Sequence, residues 1–262
     1  MESRERVRAW FDDYVENHVP NGMKSHPMIT LKSRHCRMVA DLCRDIAAEL
    51  GWSQEDVDTA YILGLLHDVG RISQVAEHNT FSDGDSFDHG IRGCEVVTRS
   101  GVLSHLPERT VTAVLESIHA HNKREIPPDT SPESIPFAKL VRDADKLDIY
   151  RVIFDYIDSG SIEARLTGVL NIDIDGPVSP ATVGDIMRKE TVNNPHIVSL
   201  ADFYLMQLSW VFDINYRPTY RRISEKQVFE RLAALLPVND DTARVTTLVM
   251  DTLAEQIAEL KP

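Results

Sequence analysis

The pattern of apolar and polar positions along the chain is helical almost throughout. Apolar residues recur three and four positions apart, and no run of alternating β-branched residues stands out, so the period is that of α-helices rather than strands. One apolar stripe runs from Val39 to Leu50 and ends at Gly51. Ser53 is placed to cap the next helix, which we expect to end at about Asp68. The pattern predicts an all-α fold, a helical bundle with additional C-terminal helices.

Polar stretches and prolines divide the rest of the chain. Residues 73–88 are rich in Asn, Ser, Asp and Gly, which predicts a surface loop, and a short helix is expected to resume near His89. Pro107 suits the first turn of another helix. A further helix should begin near Pro136 and continue past Asp145. The remaining helical stretches are 195–215, 224–236 and 241–260.

Length and composition are those of an ordinary globular protein. The 262 residues are 42% hydrophobic and 26% charged, which excludes a disordered or fibrous chain. We expect one domain over residues 1–262, with a helical extension over about 180–262. No apolar stretch approaches the roughly 20 residues that cross a bilayer, and the charged N-terminus has no apolar run behind it. We therefore expect a cytoplasmic protein without a membrane partner.

The charge balance narrows the choice of partners. Lys and Arg total 28 against 41 Asp and Glu, a net charge of -13, and an acidic surface repels nucleic acid unless a local basic patch intervenes. No basic run exceeds two residues, as at Arg221 and Arg222, so no nucleic-acid partner is expected. Cys36 and Cys43, seven positions apart on one predicted helix, would lie about 10 Å apart and beyond disulfide reach. We expect free thiols in a reducing compartment.

Histidines and aspartates fall on the apolar faces of predicted helices. His35 lies four positions before Val39 and shares its inward face. His67 and Asp68 lie within a long apolar run, and Gly64, three positions before His67, is a small neighbour expected to leave room beside the imidazole. An ionised aspartate buried there needs a cation or several hydrogen-bond donors. This segment is therefore a candidate site.

Three further positions follow the same rule. His89 begins a predicted helix beside two glycines, His121 lies three positions after Ile118, and Asp145 lies four positions after Val141. A lone buried histidine is more often a hydrogen-bonded core residue than a ligand, but a metal explains all the positions together, whereas the alternative leaves several buried polar groups unpaired. The candidate metal ligands are His35, His67, Asp68, His89, His121 and Asp145. This set suits one or two divalent transition metals such as Fe, Mn, Co, Ni or Zn.

The order and spacing of these residues resemble those of the HD-domain superfamily of metal-dependent phosphohydrolases. The resemblance covers about residues 29–155 and is carried by His35, by His67 with Asp68, and by Asp145. It implies that the single domain is of the HD type. It also implies an enzyme that cleaves a phosphoester or phosphoanhydride of a small, nucleotide-like substrate with a metal-activated hydroxide.

His89 and His121 resemble the extra ligands of the HD subset that holds two metals, as in the bacterial diadenosine tetraphosphate hydrolases. By position, the other four candidates would hold one metal, and Asp68 would bridge to a second metal held by these two histidines. The residues after His121 lack the second His-Glu and the Gly-Tyr-Pro elements of the cyclic-di-GMP phosphodiesterases. That substrate is therefore not expected.

An anionic substrate that approaches an acidic chain needs local positive charge. Arg71 and Lys123 lie close in sequence to candidate ligands, and we select them as phosphate contacts that act with Asp68 in catalysis. For each of them a solvated or paired surface charge is an equally good interpretation. His119 is left open between a place beside the site and a purely structural role.

Two other functions fit the same ligand set. Some members of the HD superfamily resemble mixed-valent di-iron oxygenases, and the ligands alone do not distinguish these from hydrolases. A non-catalytic module that senses a nucleotide or a metal would also need such a site. We favour the hydrolase over both alternatives.

Residues 158–180 lack helical periodicity and predict a long loop. Such a loop could close over the site as a lid, or it could be a surface excursion or a dimer contact. A homo-oligomer is left open.

Overall fold

The computed structural model describes residues 2–17, 19, 23, 25–162 and 172–259, apart from the side chain of Glu259. Within these ranges the secondary structure is helical and there is no β-strand; an isolated parallel bridge joins Asp173 and Ser199. None of the helices in this part of the chain has the length and apolar content needed to cross a bilayer. The all-α fold expected from the apolar periodicity is confirmed.

The chain divides into two compact units, Met1–Asp148 and Ile149–Pro262. The boundary falls within the helix Ile135–Asp158, whose final part belongs to the second unit. The helices that begin in the first unit are α1 (Glu2–Asn17), α2 (Pro27–Glu49), α3 (Gln54–Leu66), α4 (Val69–His78), α5 (His89–Ser100), α6 (Glu108–Ala120) and α7 (Ile135–Asp158). The organisation of residues 1–262 as one domain stays a prediction.

Two glycines let helices of the first unit approach each other backbone to backbone. A Cβ atom on Gly64 of α3 would lie 2.7 Å from the Cα atom of Ala40 of α2, and one on Gly70 of α4 would lie 2.1 Å from the carbonyl oxygen of His89 of α5. Both distances are shorter than real contacts, so any larger residue would force the helices apart. The space beside His67 that we expected at Gly64 is thus filled by α2, and that part of the interpretation was wrong.

The helix boundaries of the first unit follow the sequence signals with one clear exception. Ser53 caps α3 as expected and accepts a hydrogen bond from the backbone N–H of Asp56. The loop predicted for 73–88 is too long, because α4 continues to His78 and only residues 79–88 form the loop. Ser73 and Gln74 are polar yet buried inside this helix. Ser73 is hydrogen-bonded to Tyr14 and Gln74 to residues of the loop 79–88, so polar side chains that are buried and paired were mistaken for those of a surface loop.

In its described part, the second unit contains four helices of ten residues or fewer and one of 20 residues, and the apolar pattern missed two of the short ones. They are α8 (Pro180–Met187), α9 (Leu200–Ser209), α10 (Arg217–Glu225), α11 (Val228–Ala233) and α12 (Asp240–Glu259), with 3-10 turns at Asn194–His196 and Trp210–Asp213. α10 is rich in arginine, and α8 has only eight residues, so neither offers the long apolar stripe by which a helix is detected in sequence. Of the loop predicted for 158–180, residues 163–171 lie outside the described part of the chain.

Candidate metal centre

The six candidate ligands all lie in the first unit, and most of them stand at helix ends. A side chain at a helix end can turn away from its own helix toward the neighbouring ones. The four at helix ends are His67, Asp68, His89 and His121. The other two, His35 and Asp145, lie in the middle of α2 and α7. All are buried except Asp145, whose side chain is 21% exposed.

The first group of ligand atoms consists of His35 Nε2, His67 Nε2, Asp145 Oδ1 and Asp68 Oδ2. Asp145 Oδ1 lies 3.0 Å from the first imidazole nitrogen and 3.7 Å from the second. Asp68 Oδ2 lies 3.6 Å from both. Ligand atoms bound about 2.1 Å from one metal ion lie roughly 3.0–3.4 Å apart. The four atoms therefore have nearly the spacing of a metal site.

Three atoms of the first group have no hydrogen-bond partner among the described residues, although each is buried. They are His35 Nε2, His67 Nε2 and Asp145 Oδ1. Buried polar atoms are almost always hydrogen-bonded, because an unpaired one costs free energy. Three such atoms that converge within 4.8 Å of one another fit a bound cation, which would satisfy all of them at once.

The second group of ligand atoms consists of His89 Nε2, His121 Nε2 and Asp68 Oδ1. The two imidazole nitrogens lie 3.1 Å apart, and Asp68 Oδ1 lies 3.4 Å from His89 Nε2 and 3.5 Å from His121 Nε2. Asp68 thus turns one oxygen toward each group. A carboxylate in this position can bridge two metal ions, and the donor types suit the same transition metals as the first group.

Two of the four imidazoles are oriented by carboxylates. His35 Nδ1 lies 2.7 Å from Asp148 Oδ2, and His89 Nδ1 lies 2.7 Å from Asp83 Oδ2. A hydrogen bond at Nδ1 fixes the ring and keeps Nε2 available for a metal. Asp83 and Asp148 were not selected from the sequence. Asp148 lies in the helix of Asp145, three positions on, but Asp83 lies in a polar loop and had no periodicity to mark it.

Backbone carbonyl groups orient the other two imidazoles. His67 Nδ1 lies 2.8 Å from the carbonyl oxygen of Gly64, and His121 Nδ1 lies 2.6 Å from that of Ile118. Each acceptor belongs to the last turn of the helix that the histidine follows, where carbonyl groups lack partners within the helix. The hydrogen bonds at Nδ1 thus hold all four imidazoles with Nε2 toward Asp68, three of them at helix ends and His35 in the middle of α2.

Electrostatics favour the charge states that metal ligands require at four of the candidate ligands. His35 differs, because its burial, which lowers the pKa, is outweighed by Asp145 and Asp148, which raise its pKa. Burial lowers the pKa of His67 and lowers that of His89 to about 4. Burial raises the pKa of Asp68, but Lys32 and His67 outweigh it and hold this pKa well below its usual value. The pKa of Asp145 is also held well below its usual value, because neighbouring histidines outweigh its burial. Neutral imidazoles and ionised carboxylates are the forms that bind metal.

Arg71, one of the two selected phosphate contacts, lies at the edge of the site and is held by the loop 79–88. Its Nε atom is 3.9 Å from Asp68 Oδ1. Its Nη1 atom donates to Asp83 Oδ1 at 2.6 Å, to Gln74 Oε1 at 2.7 Å, and to the carbonyl oxygen of Phe81. The guanidinium group therefore lies beside Asp68, and its hydrogen bonds connect α4 to the loop 79–88.

Lys123, the other selected contact, is paired with Asp88 through a short hydrogen bond. Asp88 caps α5 and also accepts from Asn122 Nδ2 at 3.0 Å. Asp88 directly precedes His89 in the chain. No contact between Lys123 and Asp68 occurs in the described part of the chain. The role of His119 stays open.

Lys32 was missed by the sequence analysis and has the closest contact with the central carboxylate. Its Nζ atom lies 2.5 Å from Asp68 Oδ2, and its side chain is 17% exposed. The ring of Phe81 lies 5.5 Å from the same ammonium group. Lys32 is three positions before His35, so the two share one face of α2. This spacing of three positions from His35 was the one sequence feature that could have indicated that Lys32 lies at the site.

Comparison with known families agrees with the geometry. Residues 33–150 match the family model described as HD domain. This segment begins two residues before His35, ends two residues after Asp148 and contains all six candidate ligands. The match supports an HD-type metal site in the first unit. No curated protein and no solved structure matches the chain.

Proposed function

We propose that this protein is a metal-dependent phosphohydrolase of the HD superfamily that cleaves a phosphoester or phosphoanhydride of a small, nucleotide-like substrate. One observation carries the proposal. Four imidazole nitrogens converge on the two oxygens of Asp68, and Asp145 lies beside two of them. Three of these buried atoms have no hydrogen-bond partner in the described chain. Few structural roles would leave such atoms unpaired.

Two metal ions held in this way would lower the pKa of a bound water and would offer positive charge to the phosphoryl oxygens. The chain provides the rest of the site. His35, His67, Asp145 and Asp68 would hold one ion, and His89 and His121 with Asp68 the other. The hydrogen bonds at the four Nδ1 atoms fix the imidazoles before any ligand binds.

Substrate binding in a chain of net charge -13 requires local cations. We propose that Arg71 and Lys123 serve this role as phosphate contacts. Arg71 is hydrogen-bonded to Asp83, and Lys123 is hydrogen-bonded to Asp88. A phosphate group that binds either cation would therefore take the place of a carboxylate. Because guanidinium groups bind phosphate through paired hydrogen bonds, we expect Arg71 to contribute more than Lys123.

Further expectations concern partners and location. A cytoplasmic location is supported by three free cysteines, Cys36, Cys43 and Cys94, which suit a reducing compartment. The acidic net charge supports the absence of a nucleic-acid or membrane partner. A homo-oligomer remains an open proposal that size measurements in solution would decide.

The test is a metal and substrate screen of the purified protein. Elemental analysis should find divalent transition metal, and protein loaded with Mn, Fe, Co, Ni or Zn should release phosphate from at least one phosphomonoester, phosphodiester or dinucleoside polyphosphate. Asp68→Ala should lack both metal and activity, whereas Asp251→Ala, an exposed aspartate of α12, should retain both. Iron-dependent oxygen consumption would favour the oxygenase, and nucleotide binding without turnover would favour the sensor.

A further inference from the structure

Lys32 and the first group of ligand atoms use the same oxygen of Asp68. The ammonium group lies 2.5 Å from Asp68 Oδ2, and that oxygen is also 3.6 Å from His35 Nε2 and from His67 Nε2. A cation bound among the first group would therefore approach Oδ2 while the ammonium group is already there. Two cations on one oxygen repel each other strongly where little water screens them.

The contact between Lys32 and Asp68 neutralises a buried charge in the metal-free protein. The side chain of Asp68 is 4% exposed and that of Lys32 is 17% exposed. A buried carboxylate without a cationic partner is destabilising, because its charge has lost its hydration. The neutral imidazoles around Asp68 compensate for this only in part, so the ammonium group is the main counter-charge when no metal is bound.

The surroundings also offer the ammonium group another position. The side chain of Lys32 is 17% exposed, and the centre of the Phe81 ring lies 5.5 Å from its ammonium group, close enough for the aromatic face to attract the cation. Arg71 and Lys123 are instead engaged with Asp83 and Asp88. In the described chain, Lys32 is paired with Asp68 and with neither of these two carboxylates. It can therefore move away from Asp68 without breaking an ion pair with the loop 79–88.

We propose that Lys32 is an internal competitor of the metal: its ammonium group neutralises Asp68 in the metal-free protein and is displaced from Oδ2 when a divalent cation binds. This inference rests on the proposed function, because it requires the metal site. The contact between Lys32 and Asp68 should then affect both metal affinity and stability. Metal affinity is lower than the ligand set alone would provide, and the metal-free state is more stable than it would otherwise be.

Metal binding to charge variants tests the proposal directly. Lys32→Met keeps most of the aliphatic stem and removes the charge, and Lys32→Arg keeps the charge. Calorimetric titration with Mn²⁺ should show tighter binding to Lys32→Met than to wild type, on the order of tenfold, with Lys32→Arg close to wild type. Lys226→Met, which removes an exposed lysine elsewhere, is the matched control and should leave affinity unchanged.

Thermal unfolding gives a second readout. Metal-free Lys32→Met should melt at a lower temperature than wild type, and the increase in Tm on adding Mn²⁺ should be larger, because tighter binding stabilises the folded state more. A folded Lys32→Met protein with equal or weaker Mn²⁺ affinity would overturn the proposal, since Lys32 would then support the site instead of competing for it.

A labelling experiment on wild-type protein covers the case in which Lys32→Met fails to fold. The rate at which an amine-directed acetylating reagent modifies Lys32, followed by mass spectrometry, should rise when Mn²⁺ is added. An unchanged or slower rate overturns the inference while leaving the proposed function intact if the wild type binds metal and hydrolyses substrate. Wild-type protein that binds no divalent cation overturns both.

Discussion

The two groups of ligand atoms share Asp68 but are built differently. The first group adds two imidazoles and the carboxylate of Asp145, and three of its buried atoms are unpaired in the described chain. The second group adds only two imidazoles, His89 and His121, whose Nε2 atoms lie 3.1 Å apart. Divalent cations bind more tightly to sites with more anionic ligands. We therefore expect the first group to hold its metal more firmly.

The carboxylates that orient the histidines also differ between the two groups. His35 is oriented by Asp148, which lies within the long helix α7. His89 is oriented by Asp83, which lies in the loop 79–88 and is itself held by Arg71 and Gln74. Loops open locally more easily than packed helices. The contrast indicates that the second group is the less rigid half of the proposed site, in which Arg71 is hydrogen-bonded to the carboxylate that orients His89.

The largest effect should come from the residue that both groups share. Asp68→Ala removes the ligand common to both metals, so metal content should fall close to zero and activity should fall by on the order of 10³-fold or more. Elemental analysis and phosphate release measure the two effects. An Asp68→Ala protein that keeps full metal stoichiometry would contradict the assignment of both groups.

The next variants separate the two groups. His121→Ala should lower the metal content from about two ions to about one per chain while circular dichroism shows an intact helical fold, because the first group is untouched. Asp145→Ala should weaken binding at the first group instead, with a larger loss of affinity. Equal effects of the two variants on both ions would show that the groups do not act separately.

A smaller effect is expected from the carboxylates that orient the histidines. Asp83→Asn should weaken metal binding at the second group by about 10–100-fold and leave the first unchanged, whereas Asp148→Asn should do the reverse. Titration calorimetry of both variants gives the comparison. Unchanged affinities in both would mean that the hydrogen bonds at Nδ1 do not tune the metal sites.

The smallest predicted effect is a pH dependence of the metal-free protein. Burial lowers the pKa of His89 to about 4, below the value of about 6.5 in an unfolded chain. Between these values the unfolded chain binds a proton that the folded protein does not, so stability falls as the pH falls from about 6.5 to 4, by at most about 3 kcal/mol from this residue. Urea unfolding across this range should show a shallower slope for His89→Gln. A slope equal to that of wild type would mean that the burial of His89 does not cause the pH dependence.

The fold class and the convergence of the ligands could be predicted from sequence because both follow from helical periodicity. His35 and Asp145 share the inward phase of apolar neighbours on long helices, and α2 and α7 place them side by side. The same argument selected His121 through its spacing from Ile118. The structure then brings the four histidines to the two oxygens of Asp68 and places Asp145 beside two of those histidines.

The parts that sequence did not predict depend on contacts between distant residues. Lys32 was overlooked because a lysine on a helix is normally a solvated charge, and only the packing of α2 beside α4 brings it to Asp68. Asp83 was hidden in a polar loop, and α4 was predicted too short because Gln74 is polar but buried. Periodicity detects apolar burial and has no signal for a buried polar network.

The number of metal ions bound by the wild-type chain tests the central claim most directly. Protein freed of metal and then loaded anaerobically with Mn²⁺, Fe²⁺ or Zn²⁺ should bind two ions per chain, the first more tightly than the second. Activity should appear as the second ion binds. Saturation at a single ion with full activity would contradict the bridging role of Asp68 and the assignment of His89 and His121 as metal ligands.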